Sequence, residues 1–157
     1  MRGKWTQSRG GGSLRARGAR SSLALDAEIG AESVYEAAAP THAKIEGFAA
    51  AARAVRGAAG ELIPCLEDGV RLEVDPLSGQ KTGLFLDQRP SRARVGQLSR
   101  GARVLDCYSY AGGFALQAAR GGAVEVTAVD SSPRAVARIE AHARMNEVDV
   151  KAVESDV

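Results

Sequence analysis

Aromatic residues are scarce in this chain: one Trp, three Tyr and three Phe, 4% of 157 residues. Aromatic anchors therefore cannot organise the core, and 29 alanines with the aliphatic residues must fill it, which suits helices packed on a sheet. Cysteine is equally rare. Cys65 and Cys107 have no Cys or His at ligand spacing, which argues against a disulfide scaffold and a zinc site and fits a reducing cytoplasm. The longest apolar stretch, Phe48 to Ala52, falls far short of the ~18 residues a membrane span requires. Charge of one sign is not in excess either, since 21 Lys and Arg against 19 Asp and Glu leave a net +2. That balance excludes a histone-like nucleic-acid coat. The expectation is one soluble, cytoplasmic domain of ordinary size, with no metal and no membrane partner.

The balanced charge hides an asymmetry. Residues 1–22 carry six Lys and Arg and no acid, with Gly10-Gly11-Gly12 among them, whereas the remainder holds 15 basic against 19 acidic residues. Without apolar periodicity this segment cannot bury enough surface to offset its chain entropy, so 1–25 reads as a disordered basic tail. A mistaken translation start, an RNA-touching arm and an Arg- and Ser-rich organelle transit peptide all remain open for it. Residues 26–75 read as a small α+β accessory region. Ala43 to Arg56 suits a helix by propensity, although Gly47 weakens it. Leu62-Ile63-Pro64 leads to a turn at Glu67-Asp68-Gly69, and Val70 to Asp75 alternates apolar and charged residues as a half-buried strand does.

From 76 to 157 helix and strand alternate. Pro90 opens a helix that runs through Val95 and Leu98 and stops near Gly101. Arg103–Asp106 is a short strand, 108–113 a loop, and Phe114–Arg120 a helix closed by Gly121-Gly122. A second strand, Val124–Val129, ends at Asp130. Ser132 caps a helix with Pro133 in its first turn and Val136, Ile139 and Ala143 on one stripe. Val150–Val153 is a third strand. Strand–helix–strand–helix–strand with short links is half of a doubly wound parallel α/β sheet, ordered 3-2-1 if the usual winding holds.

Ligands of such sheets bind outside the carboxyl ends of the strands. Three features fall there. Asp106 ends the first strand and is followed by Ser109-Tyr110-Ala111-Gly112-Gly113, where two glycines allow close backbone approach at a helix N-terminus. Asp130, followed by Ser131, ends the second strand, where a carboxylate can accept from both hydroxyls of a ribose. Asp156 lies just past the third, placed to accept from an exocyclic amine. Each has a plainer reading: Asp106 as a helix cap, the glycines as a tight turn, Asp130-Ser131-Ser132 as a cap cluster. All three on successive strands favour a ligand. A pyrophosphate at the first turn would be repelled by Asp106, and the G-x-G-x-x-G spacing is absent, so a nucleotide-dependent oxidoreductase is disfavoured. S-adenosylmethionine, with an ammonium, a sulfonium, a ribose and no phosphate, suits these carboxylates.

The segment Gly79-Gln80-Lys81-Thr82-Gly83-Leu84-Phe85-Leu86-Asp87-Gln88-Arg89, with Val104-Leu105-Asp106 and Tyr110-Ala111-Gly112-Gly113-Phe114, resembles the class I methyltransferases of 23S ribosomal RNA that make 5-methylcytosine. The resemblance runs from about Val34 to Val157 and is densest after Glu67. It implies a Rossmann-like methyltransferase half-sheet, S-adenosylmethionine as cofactor, ribosomal RNA as substrate and, in the full-length protein, a homodimer. It also implies that Asp106, Ser109, Tyr110, Gly112 and Gly113 line the methionine side of the cofactor. Asp130 and Ser131 would then hold the ribose and Asp156 the adenine, while Lys81, Thr82, Asp87, Gln88 and Arg89 would close over the site.

Three departures qualify it. Ala111 replaces the family's usual Thr, the amino-terminal RNA-binding (PUA) module is not recognisable, and the family's Asp-Pro-Pro-x-Phe segment and later nucleophilic cysteine do not occur in these 157 residues. Methylating carbon 5 of cytosine needs a thiolate to attack carbon 6 and a base to remove the carbon-5 proton. Cys107 reads as a buried small residue and Cys65 as structural, so no catalytic residue is assigned. A binding protein that retains only this half is the rival reading. Gly79-Gln80-Lys81-Thr82 lacks the frame of a phosphate-binding loop. His42 and His142 have no partner at catalytic spacing, and His142 reads as solvated. Arg92, Arg94, Arg100 and Arg103 read as a solvated face rather than an RNA contact.

Overall fold

The computed structural model describes residues 33–37, 52–57, 62–77, 79 and 83–156. They fall into two compact units: one takes the described residues up to Ile63 and those from Asp75 to Gly83, the other Pro64–Val74 and those from Leu84 onward. In the first unit β1 (Val34–Ala37) pairs antiparallel with β2 (Ala52–Arg56), Ala37 opposite Ala52 and Val34 opposite Arg56. This corrects the helix expected to run to Arg56. Backbone pairing with β1 outweighs the helix propensity of the alanines, which is a weak prior that tertiary context overrides. Residues 43–51 of that expected helix, like the tail 1–25, lie outside the described residues.

The second unit, from Pro64, holds nearly all of a hairpin. β3 (Ile63–Glu67) and β4 (Val70–Val74) pair through the two-residue turn Asp68-Gly69, whose φ values of 48° and 85° are those of a hairpin turn matched to strand twist. Ile63 to Glu67 was expected only to lead into this turn and is itself a strand. The alternation in β4 reads out as anticipated, with Val70, Leu72 and Val74 buried and Arg71 exposed. After a 3₁₀ turn at Leu86–Gln88, the order is α1 (Arg89–Leu98), β5 (Arg103–Cys107), α2 (Gly113–Arg120), β6 (Glu125–Asp130), α3 (Pro133–Asn146) and β7 (Lys151–Glu154). The three last strands form one parallel sheet in the order β5-β6-β7, with Asp106 in register with Ala128 and Asp130 with Glu154. Parallel strands in this register bring all their carboxyl ends to one side, as the sequence pattern predicts. The core is small and aliphatic: Ala115, Ala118, Val126, Ala128 and Ile139, flanked by Val95, Val104 and Ala152.

Helices α1 and α2 approach so closely that a Cβ on Gly121 would lie 1.9 Å from the Gly96 carbonyl oxygen. The inward stripe of α1 is Arg92, Val95, Gly96 and Ser99, the i, i+3, i+4, i+7 spacing of a buried helix face. Arg92 therefore does not join Arg94, Arg100 and Arg103 on a solvated face. It is 3% exposed, and its Nε and Nη2 donate to the two carboxylate oxygens of Glu67 at 2.6 and 2.7 Å. Its Nη1 donates to the Phe85 carbonyl, and Gln117 Nε2 donates to the Glu67 carbonyl. Arg103 instead pairs with Glu125 at the surface, and Arg94 bonds Gln97.

Helix α3 covers the free side of β4 with a stripe of polar side chains. Arg138 Nη1 donates to the Glu73 carbonyl (3.0 Å), the Glu73 N–H donates to His142 Nε2 (3.0 Å), and Asn146 exchanges two 2.7 Å bonds with the backbone N–H and carbonyl of Arg71. Spaced four apart, these residues act as a replacement strand for backbone groups that an edge would leave unpaired. His142 was expected to be solvated. It is fully buried, because the hairpin packs on that face of α3.

Replacing Glu67 by Leu leaves the Arg92 guanidinium buried without its partner. The expected cost is about 3–5 kcal/mol, with part regained on adding Arg92→Met, both read by urea unfolding. A cost below about 1 kcal/mol for the single change would contradict this role.

Candidate cofactor site

The loop after β5 is built around its own carboxylate. Asp106 Oδ2 accepts from Ser109 Oγ (2.5 Å) and from the Ala115 N–H (3.1 Å), so it satisfies a donor in the first turn of α2. Tyr108 and Tyr110 both take positive φ, 57° and 54°, an unfavourable backbone for residues with side chains. Several contacts hold the loop there. The Ser109 N–H donates to the Val129 carbonyl, the Tyr110 N–H to Asp130 Oδ2 (2.8 Å), and the Tyr110 ring meets Phe85 edge-to-face at 5.7 Å. Gly112, at φ 80°, is the N-cap of α2, and a Cβ there would press on Ile139 at 3.2 Å.

Asp130 ends β6 with both oxygens engaged by backbone, Oδ2 by Tyr110 and Oδ1 by Ser132 (2.9 Å), and its carbonyl accepts from the Ser155 N–H. Ser132 Oγ in turn accepts from the Ala135 N–H at the start of α3. Ser131 and Asp156 are exposed beside these groups. The structure thus brings Asp106, Ser109, Tyr110, Gly112, Gly113, Asp130, Ser131 and Asp156 to one end of the sheet. Two of the three plainer readings hold as well, since Asp106 does cap α2 and Asp130 does close an Asx turn.

Among the described residues none of Asp106, Asp130 and Asp156 pairs with Lys or Arg. Burial, aided by the negative charge of Asp130, pushes the Asp106 carboxyl above its ordinary range, against the bonds from Ser109 and Ala115. This end of the sheet therefore carries carboxylates with open acceptor capacity and negative charge that no described Lys or Arg offsets by pairing. The acceptor set fits a cationic ligand with hydroxyls and an amine, and does not fit a phosphate.

The other expected site residues divide. Lys81 and Thr82 lie outside the described residues. Asp87 and Gln88 are exposed on the 3₁₀ turn, and Phe85, two residues earlier, touches the loop through Tyr110. The guanidinium of Arg89 is bonded to Asp68 at the hairpin turn, at 2.5 and 3.1 Å. Cys107 is half-buried rather than fully buried. Burial and the Glu67 charge push the Cys65 thiol up to about 11, which suits an unreactive side chain. Among the described residues no group of His, Cys, Asp and Glu could hold a metal ion, and no helix is long and apolar enough to cross a membrane. A groove of about 450 Å³, lined by Ala119, Val124, Glu125, Glu147 and Lys151 among others, lies at the amino ends of the strands, opposite the carboxylates.

Sequence reasoning overlooked Arg92 and His142, which shape the loop from behind. The Arg92 side chain fills the space where a Cβ of Gly113 would lie, and His142 Nδ1 bonds the Ala111 carbonyl at 2.9 Å. A signal was present for both: each falls on the inward arc of its helix, Arg92 three before Val95 and His142 three after Ile139.

A parallel sheet with carboxylates at successive strand ends, leading into helix N-termini, has the architecture of the α/β proteins that bind nucleotide and nucleoside ligands at that end of the sheet. Residues 48–155 match the S-adenosylmethionine-dependent methyltransferase family, and the chain belongs to that family. Among curated proteins, the ribosomal RNA large subunit methyltransferase of Deinococcus radiodurans is 50% identical over 88 residues, 56% of this chain and 22% of its own length. Ribosomal RNA large subunit methyltransferase I of Aeromonas salmonicida is 38% identical over 119 residues, 75% of this chain and 30% of its own. The chain thus spans between a fifth and a third of the length of these curated relatives. A solved methyltransferase complexed with S-adenosylhomocysteine has a TM-score of 0.76 at 28% identity, over 92% of this chain and 37% of the other. An S-adenosylmethionine-dependent methyltransferase from Streptococcus mutans has a TM-score of 0.74 at 28% identity, over 91% of this chain and 37% of the other.

The raised Asp106 pKa makes a signed prediction. The ionised carboxylate is disfavoured in the fold, so its destabilising effect is present at neutral pH and disappears as pH falls through the raised value towards the ordinary one. Asp106→Asn keeps an acceptor for Ala115 and removes the charge. It is expected to raise Tm at pH 7, with the difference shrinking towards pH 4 in a calorimetric series. An unchanged or lower Tm at pH 7 would contradict the cost assigned to burying the ionised carboxylate.

Proposed function

We propose that these residues form the cofactor half-site of a methyltransferase that acts on RNA of the large ribosomal subunit, with a cytosine of 23S ribosomal RNA as the target. The observation that carries this reading is the set of three carboxylates at the ends of three successive parallel strands, none balanced by a described cation, in a chain of this family. The names of the curated relatives support RNA as the substrate class, and the motif resemblance supports cytosine.

In this reading Asp106 orients the ammonium of the methionine moiety and balances its charge, with Ser109, Tyr110, Gly112 and Gly113 forming the wall on that side. Asp130 accepts from the ribose hydroxyls while its backbone bonds hold it in place, with Ser131 beside it. Asp156 accepts from the adenine amine, and its exposure leaves it free to do so. Lys81, Thr82, Asp87, Gln88 and Arg89 close over the ligand, for which Arg89 must exchange Asp68 for a new partner. When bound, S-adenosylmethionine supplies an electrophilic methyl group on a sulfonium. The contribution of this chain is positioning, which can supply a large part of a rate enhancement. The thiolate and the base that cytosine methylation needs have no candidate among these residues.

Ultraviolet crosslinking with methyl-tritiated S-adenosylmethionine tests the site. The 157-residue chain is expected to label, S-adenosylhomocysteine to compete and NAD not to, and Asp130→Ala to reduce labelling at least about tenfold, as loss of hydrogen bonds to a charged acceptor implies. The same chain is expected to transfer no methyl to ribosomal RNA alone. Absence of labelling, or competition by NAD, would overturn the cofactor assignment.

A further inference from the structure

Ala111 sits between the two halves of the loop, after Tyr110 and before Gly112-Gly113. Its carbonyl is bound by a side chain from another element, His142 of α3, at 2.9 Å. His142 is fully buried, and its second nitrogen, Nε2, faces the Glu73 N–H of β4 at 3.0 Å. A backbone N–H can only donate and a carbonyl can only accept. Both contacts are satisfied together in one form alone, the neutral imidazole with its proton on Nδ1. The imidazolium would set N–H against N–H at Glu73, and the other neutral tautomer would break both bonds.

We propose that His142 is a positioning residue for the cofactor: held by β4 on one side, its Nδ1–H fixes the Ala111 carbonyl and so sets the orientation of the Tyr110–Gly113 wall. This rests on the reading that the loop lines the cofactor site. A rigid anchor is needed there because Tyr108 and Tyr110 hold unfavourable positive-φ conformations, which persist only where surrounding contacts over-determine them. The connection also gives the hairpin a part in the site. Glu73 is clasped by Arg138 as well as His142, and Arg71 by Asn146, so β4 supplies a fixed base for the imidazole.

The charged groups acting on the ring are Arg138 on its own helix and Glu73 on β4. Burial, with Arg138, holds the imidazole below its ordinary range, while the Ala111 carbonyl and Glu73 pull the other way. Neutral His142 is therefore the form present at neutral pH. The stability it contributes is complete above the ordinary histidine value and is lost as pH falls through the lowered one.

Two variants separate its two bonds. Asn at 142 keeps an amide N–H near the Nδ1 position, for Ala111. Gln keeps an oxygen near the Nε2 position, for Glu73, and loses the Ala111 bond. By calorimetric titration with S-adenosylmethionine at pH 7.5, His142→Asn is expected to bind within about threefold of the parent chain and His142→Gln on the order of tenfold more weakly. If the parent chain binds and both variants lose affinity equally, the positioning role fails while the cofactor site stands. If the parent chain does not bind, the cofactor reading fails, and the amide shifts of Gly112 and Gly113 decide the positioning role. Displacement in Gln but not in Asn supports it, and equal displacement overturns it. Long-range ¹H–¹⁵N spectra of the parent chain need no variant. An Nδ1–H tautomer at pH 7 is the expected result, and an Nε2–H tautomer or an imidazolium would overturn the proposal.

Discussion

The buried ion pair between Glu67 and Arg92 joins elements distant in sequence. It takes a carboxylate from the end of a hairpin and a guanidinium from the inner face of α1 and holds them away from solvent, with the Phe85 carbonyl and the Gln117 amide as further partners. Desolvating two charges is costly, and their attraction compensates only when geometry is good and the remaining donors and acceptors are satisfied. Here they are. The same arginine lies at 2.7 Å from where a side chain on Gly113 would begin and within 6.0 Å of the Phe114 ring centre, so the first turn of α2 is packed against it. The start of α2 is also where Asp106 is bonded. One interior pair thus connects the hairpin, two helices and the loop after β5.

The hairpin has a second point of attachment. Arg138, His142 and Asn146 give the outer side of β4 the donors and acceptors that a neighbouring strand would supply. The hairpin is thereby held on two sides by side chains rather than by extension of the sheet. Such bonds have strict geometry, so what they connect moves as one body. The strained loop profits from this rigidity: Ser109, Tyr110 and Ala111 are each bonded to a different partner, on β6 or α3.

Electrostatics runs against stability at the same place. Asp106 and Asp130 repel each other, and no described cation offsets them. Proteins retain such an arrangement where a ligand supplies the missing charge, since binding sites favour pre-organised groups over locally optimal ones. At the opposite end of the sheet Glu125 has Arg103 as a salt-bridge partner and Lys151 on the same groove wall, whereas neither Asp106 nor Asp130 has such a partner among the described residues.

By itself the sequence determined the alternation of strand and helix from Pro90 to the end, the placement of Asp106, Asp130 and Asp156 at strand ends, and the chemistry of a cationic, phosphate-free cofactor. These are legible because side-chain periodicity, the Ser132-Pro133 start of α3 and the adjacent glycines after β5 act within a few residues of the positions they specify. Only the tertiary structure decided the pairing of Ala52–Arg56 with β1, the burial of Arg92 and His142 and the attachment of Arg89 to Asp68. The local preference of an alanine-rich stretch for helix is weak enough for pairing with a strand elsewhere in the chain to override it, and a charged or polar side chain is buried only when a partner far along the chain, such as Glu67 for Arg92 or Glu73 for His142, arrives to satisfy it.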